Sequence, residues 1–256
     1  MFRISSAVAS HPGLRREENE DSYSKRDDLA LYLVADGMGG HAAGEIASKI
    51  AVETIESFVN DTHDADPNRT WPFPYDTALT LNGNRLKAAF RLANRKIGAA
   101  MDANDTLRGM ATTAAALLLG GEKPVVAHVG DSRIYLWRDD KLEQVTEDHS
   151  WVSEQVRAGV MTEADARRHP WRNVVTRALA GGEDPEVDIA ELELRQGDRV
   201  MICSDGLSSV VPRETLTAIL ARGDDLDATC AALIDAANKA GGPDNITVAL
   251  LSVDVA

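Results

Sequence analysis

Cysteine is scarce: Cys203 and Cys230 are the only two in 256 residues. That excludes a disulfide framework and fits free, buried thiols in a reducing compartment. Long apolar runs are missing too. No stretch approaches the roughly 18 consecutive apolar residues of a membrane span, and the opening MFRISSAVASHPG does not read as a signal peptide. Positive charge is in deficit, with 27 Lys and Arg against 41 Asp and Glu and a net charge of −14. A surface of that sign repels nucleic-acid backbones and anionic lipid. These absences predict a cytoplasmic chain with neither nucleic acid nor membrane as partner. An acidic balance also suits a protein that holds divalent cations.

What is present is enough for one core. At 44% apolar and 256 residues, the chain is expected to form a single domain over 1–256. Strand-like runs at 4–10, 21–25 and 29–35 lead into a helical pattern from Gly44, with Ala47, Ala51, Ile55 and Phe58 on one face. A second helix is predicted from about Asn84 to Met101, striped by Leu86, Ala89, Phe90, Ala93 and Ile97. Between the helices, residues 60–83 form a long polar connection expected to be held down by Trp71, Phe73 and Tyr75. Four short strands follow (TTAAALLLG, PVVAHVG, SRIYLWR, KLEQVT), with turns too short for a crossover helix, so antiparallel pairing is expected along the run. Residues 150–172 are mixed and partly helical. VDIAELEL and DRVMICSDG return to strand, 212–222 and 225–240 are helical, and NITVALLSVDV closes the chain as a strand. The pattern predicts an α+β layered sandwich: two antiparallel sheets flanked by pairs of helices.

The stretch VADGMGGHAAGE (34–45) could hold a phosphate or a metal. GMGGHA fits a dinucleotide fingerprint, but Asp36 directly precedes the first glycine, where a pyrophosphate needs positive potential. Nor does the chain continue as a parallel βαβ unit. A metal makes the same features useful. Asp36, Asp131 and Asp205 each end an apolar strand, Asp244 opens the last one, and Glu20 and Asp21 adjoin in ENEDS. Oxygen-only ligands without clustered Cys or His favour Mg²⁺ or Mn²⁺ over Zn²⁺.

The ordered motifs GLRREENEDS, VADGMGGHAAGE, ATTAAALLL, HVGDSRIYLWR, TEDHS, SDGL and GPDNITV resemble those of the metal-dependent Ser/Thr protein phosphatases, the protein phosphatase 2C (PPM) family, in its compact bacterial form. The resemblance covers about 5–253 and implies a monomeric hydrolase in bacterial signalling, acting on phosphoserine and phosphothreonine of proteins modified by a Ser/Thr kinase. It implies two Mn²⁺ or Mg²⁺ ions: Asp36 bridging both, the Gly37 carbonyl on one, Asp205 and Asp244 on the other, Glu20 and Asp21 orienting metal-bound waters, and Arg16 gripping phosphate. A water bridging the metals would attack directly. His41 is a candidate general acid, and a weaker third ion would lie between Asp131 and Asp205. Ala111 and Ser209 depart from the family pattern, Ser209 where many members carry an acid. Residues 150–177 are expected to be a flap reading substrate through Arg167 and Arg168, because 157–177 carries five arginines against Glu163 and Asp165. Two other readings stay open: a catalytically weak binding relative, and a phosphatase of a small phosphorylated metabolite.

Overall fold

The computed structural model describes residues 2–40, 43–63, 71–121 and 123–255. The first half runs β1 (Phe2–His11), β2 (Asp21–Arg26), β3 (Leu31–Met38), α1 (Ala43–Thr62), α2 (Leu81–Ala103), β4 (Ala111–Thr112), β5 (Ala114–Leu118) and β6 (Val125–Val129). The second half runs β7 (Arg133–Arg138), β8 (Lys141–Gln144), α3 (Trp151–Arg157), α4 (Glu163–Ala166), β9 (Asp188–Glu191), β10 (Arg199–Cys203), α5 (Asp205–Ser208), α6 (Arg213–Leu220), α7 (Leu226–Lys239) and β11 (Ile246–Val255). The strands form two antiparallel sheets, ordered β1-β11-β10-β7-β8 and β2-β3-β5-β6-β9, with β4 added to the end of β3.

Strand alternation produces three apolar layers. Leu31, Leu33 and Ala35 of β3 face α1 and α2, together with Ala114, Ala116 and Leu118 of β5. The intervening Tyr32 and Val34, with Ala115 and Leu117, face the other sheet and meet Val200, Ile202, Ala249 and Leu251. On the far side, Ile246, Val248 and Leu250 of β11 pack under α6 and α7. A strand buried on both faces needs an unbroken apolar run rather than a polar alternation, which is how β5, residues 31–35 of β3 and residues 248–251 of β11 read. The expected stripe of α2 (Leu86, Ala89, Phe90, Ala93, Ile97) is fully buried. Burying Leu86, Phe90 and Ile97 contributes about 1.5–3 kcal/mol each. Helix α2 starts at Leu81, capped by Thr80, whose hydroxyl accepts from the Gly83 N–H.

The connection between α1 and α2 is held by aromatics as expected. Trp71 packs at a tilt against Phe58, and Phe73 is buried with the guanidinium groups of Arg91 and Arg95 4.3 and 4.2 Å from its ring centroid. Residues 64–70 of that connection lie outside the described residues. One pairing expectation is overturned. The four strands from 111 to 144 do not pair in succession: β5 pairs β6 and β7 pairs β8, but β6 and β7 belong to different sheets. The Gly130–Asp131 turn is therefore a passage from one sheet to the other. Its length is that of a hairpin turn, and length alone cannot show to which sheet the next strand goes. Both cysteines are buried and unbridged, and burial pushes their thiols up to about 12. Among the described residues no helix is long and apolar enough to cross a membrane.

Candidate metal centre

At one end of the sandwich the two sheets bring their strand termini together, and the acids identified in the sequence lie there. Asp21 opens β2 and stands directly opposite Asp36 on β3. Like charges facing each other across an antiparallel pair are destabilising, so this register calls for a positive partner. Asp36 is fixed through its backbone: its carbonyl accepts from Thr113 N (2.9 Å) and Thr112 Oγ1 (2.8 Å). Thr113 Oγ1 in turn shares a 2.7 Å hydrogen bond with Ser132 Oγ, beside Asp131 in the passage between sheets. Asp205 begins α5 directly after β10. The preceding Ser204 donates to Asp21 Oδ2 at 2.8 Å and accepts from Thr247 N at 3.0 Å, linking an acid of one sheet to the other sheet. Asp244 precedes β11.

The electrostatics follow from the crowding. Burial raises the Asp36 carboxyl well above its ordinary range, and the charges of Asp21, Asp205, Asp131 and Asp244 raise it further. Asp21 is pushed up to about 7 by burial, against hydrogen bonds from Thr247 and Ser204 that lower it. Asp131 also rises to about 7, from burial and then the charges of Asp205 and Asp148. Burial and Asp244 raise Asp205. Glu20 is raised by burial despite the nearby Arg16. Acids in this state are stabilised as carboxylates by a bound cation.

The residues present fit divalent cations. Asp21 Oδ1 is buried without a hydrogen-bond partner, an oxygen left open in a polar site. Every nearby ligand candidate is an oxygen, as Mg²⁺ and Mn²⁺ prefer. Gly37 suits a close backbone approach: a Cβ there would lie 2.1 Å from the Gly44 carbonyl oxygen and 2.6 Å from that of Glu20. Arg16 reaches the same site and donates to Asp244 Oδ2 at 2.8 Å. His41 lies outside the described residues.

Asn245 went unrecognised in the sequence. Its carboxamide accepts from Glu20 N (2.8 Å) and donates to Pro12 O (3.0 Å) and Glu18 O (2.8 Å). It thereby binds the loop bearing Arg16 and Glu20 to the start of β11. The asparagine beside Asp244 was visible, but its partners are more than 200 positions away.

A second cluster, His128, His149 and Asp188, places potential ligand atoms within 4.8 Å of one another. Its geometry opposes a metal. The two imidazoles are stacked at 4.6 Å and 21°, so their in-plane lone pairs do not converge. His149 Nδ1 accepts from Gly130 N (3.1 Å), which leaves the proton on Nε2, facing Asp188 Oδ2 at 3.2 Å. This neutral tautomer agrees with the lowering of His149 by burial and by His128. His149 thus links Gly130 to Asp188 by hydrogen bonds, with His128 stacked on it and bonded to the Glu147 carbonyl, at the base of the 150–177 segment.

That segment leaves and re-enters the sandwich at the Ser150–Val175 bridge. Its base is tied close to the acids: His149 N donates to Gly130 O (3.0 Å), and Leu179 pairs with Thr112. Of its five arginines, Arg157 pairs with Glu147 (2.6 Å) and Arg177 with Glu186 (3.1 Å) and Asp188 (3.3 Å). Arg167, Arg168 and Arg172 are exposed and make no ion pair among the described residues. Trp171, 54% exposed, lies edge-on to Trp151 between them.

Comparison with known proteins gives a consistent picture. Residues 14–247 match the family described as Protein phosphatase 2C. The chain is 39% identical over 248 residues to the serine/threonine protein phosphatase PstP of Mycobacterium tuberculosis, covering 96% of this chain and 44% of that protein. It thus spans less than half the length of that relative. It is 35% identical over 249 residues to the serine/threonine phosphatase stp of Listeria monocytogenes, covering 95% of this chain and 93% of that one. Among solved structures, the M. tuberculosis PstP catalytic domain in complex with two manganese ions is 35% identical and superposes with a TM-score of 0.82, covering 99% of this chain and 100% of that one. The Streptococcus agalactiae serine/threonine phosphatase is 33% identical with a TM-score of 0.85, covering 98% and 100%.

Proposed function

Because the chain belongs to the protein phosphatase 2C family, we propose that it is a metal-dependent protein phosphatase, hydrolysing phosphoserine and phosphothreonine in proteins. The observation that carries this reading is the convergence of Asp21, Asp36, Asp131, Asp205 and Asp244 from both sheets, with Arg16 at the rim.

In this reading the two cations would be held by Asp36, the Gly37 carbonyl, Asp205 and Asp244, with Asp36 serving both, Gly37 one, and Asp205 and Asp244 the other. Two divalent cations in such a site supply a water of lowered pKa and neutralise phosphoryl oxygens. Asp131 and Asp205 offer a further, weaker position. Glu20 and Asp21 accept hydrogen bonds from water and fix its direction; the open Asp21 Oδ1 is suited to this. Arg16 presents a planar fork matched to two phosphate oxygens, which a lysine cannot copy. The exposed Arg167 and Arg168 attract an anionic peptide to the flap. The protein is read as one catalytic domain over 1–256, acting as a monomer in the cytoplasm on the products of a Ser/Thr kinase.

The test is release of phosphate from a phosphothreonine peptide with Mn²⁺ and with EDTA, alongside a small phosphorylated metabolite. The expected result is Mn²⁺-dependent turnover of the peptide, abolished by EDTA. Turnover confined to the metabolite, or no turnover of either, overturns the reading.

A further inference from the structure

In this structure the carboxylate assigned to a cation already holds an organic one. Arg16 Nη2 donates to Asp244 Oδ2 at 2.8 Å, while Asp244 Oδ1 accepts from Asn245 N at 2.9 Å. The backbone presets this pair. Gly13 has φ +81°, and a Cβ there would lie 2.2 Å from the Asp244 carbonyl oxygen, so only glycine lets the Arg16 loop sit so close. Leu14 N donates to Gly242 O at 2.8 Å, and Asn245 fastens the other end of the loop. Glu20 and Asp36 add their attraction to the guanidinium. Yet the pair is half open to solvent, with side-chain exposures of 50% for Arg16 and 34% for Asp244. Such a pair is weak and exchanges partners readily.

We infer that Asp244 holds Arg16 in the metal-free protein, and that a cation taking Asp244 hands the guanidinium over to phosphate. This rests on the assignment above of Asp244 to a cation and Arg16 to phosphate. A guanidinium and a divalent cation at one carboxylate repel each other. As the cation neutralises Asp244, Arg16 loses its partner and its fork becomes available to an incoming dianion. Such coupling is reciprocal: phosphate strengthens cation binding by the factor by which the cation strengthens phosphate binding. Arg16 is therefore also a competitor of the metal. Removing it should leave Asp244 uncontested and tighten cation binding, whereas loss of a merely structural arginine would loosen Asp244 and weaken it.

The experiment is calorimetric titration of Mn²⁺ into the EDTA-stripped chain, with and without inorganic phosphate, for the native protein, Arg16→Ala, Arg16→Lys and Asp244→Asn. Without phosphate, Arg16→Ala should bind Mn²⁺ about two- to fivefold more tightly at the Asp244-dependent site, the worth of a half-exposed ion pair. Arg16→Lys keeps the charge and should stay within about twofold of native Mn²⁺ affinity, while phosphate enhances that affinity less than in the native chain. Unchanged or weaker Mn²⁺ binding in an Arg16→Ala protein with a native circular dichroism spectrum would overturn the exchange. Asp244→Asn should lose one Mn²⁺ site. Retention of the full native stoichiometry would instead reject the assignment of Asp244, keeping the two failures apart.

Discussion

The acids at the end of the sandwich and the arginines of the 150–177 segment are held in opposite ways. Asp36 is fixed by two hydrogen bonds to its backbone carbonyl near the end of a strand buried on both faces, and Asp21 by a serine next to a strand of the other sheet. The flap is tied at its base by two isolated bridges, a few backbone hydrogen bonds and ion pairs, with Arg167, Arg168 and Arg172 standing in solvent. The first region keeps like charges close in a preorganised array, where electrostatic interactions are strong and reorganisation small. The second keeps its charges where salt screens them over about 8–10 Å. In the proposed function, chemistry belongs to the rigid part and recognition to the adjustable one.

The sharpest way to break this contrast is to neutralise the rigid part. Asp36→Asn or Asp205→Asn should lower Mn²⁺-dependent kcat by about 10²–10⁴, since several kcal/mol of charge stabilisation at 1.36 kcal/mol per tenfold is removed. The same variants should raise the melting temperature of the EDTA-treated protein, because each removes one of the mutually repelling carboxylates. Steady-state kinetics and calorimetric melting check both; native kcat in either variant sinks the assignment.

A smaller effect is expected where the two regions meet. Asp131 sits in the passage beside Gly130, whose carbonyl receives the N–H of His149 at the flap base. Asp131→Ala should reduce kcat about tenfold at Mn²⁺ concentrations high enough to fill the third site while sparing the two tight sites, and Ser209→Asp should tighten the third, because divalent affinity follows the number of charged ligands. Mn²⁺ calorimetry decides; a third site as tight as the first two in the native chain contradicts it.

The smallest effect concerns the flap. Arg167→Glu with Arg168→Glu should raise KM for a phosphopeptide about three- to tenfold, with the difference shrinking as salt is added, and leave KM for a small aryl phosphate unchanged. Equal changes for both substrates would remove the flap from recognition.

The contrast also explains what could be read from the chain. The helices were legible because Leu86, Ala89, Phe90, Ala93 and Ile97 repeat with the helical period, and β3 because an apolar run ends in an acid. The candidate site acids were legible because each stands at or within two residues of a strand end. The sheet-crossing turn at Gly130–Asp131 was not, since a short turn has the same residues whether the chain pairs back or moves to another layer. Asn245 and Thr113 stayed hidden because their roles lie in backbone partners distant in sequence. The pairing of Arg157 and Arg177, which leaves the flap less free charge than its composition suggests, depends on Glu147, Glu186 and Asp188 arriving from neighbouring segments.

The layer of Tyr32, Val34, Ala115, Val200, Ile202 and Ala249 between the sheets acts as a spacer gauge. Asp36 stands two residues beyond Val34 and Asp205 three beyond Ile202, so the thickness of that layer sets how far apart the acids of the two sheets are held. Protein interiors are packed tightly enough that one methylene is felt, and Mg²⁺ demands a tighter and more regular oxygen cage than larger ions. On the proposed assignment of the acids, discrimination between ions of different radius rests partly on aliphatic side chains that never touch them.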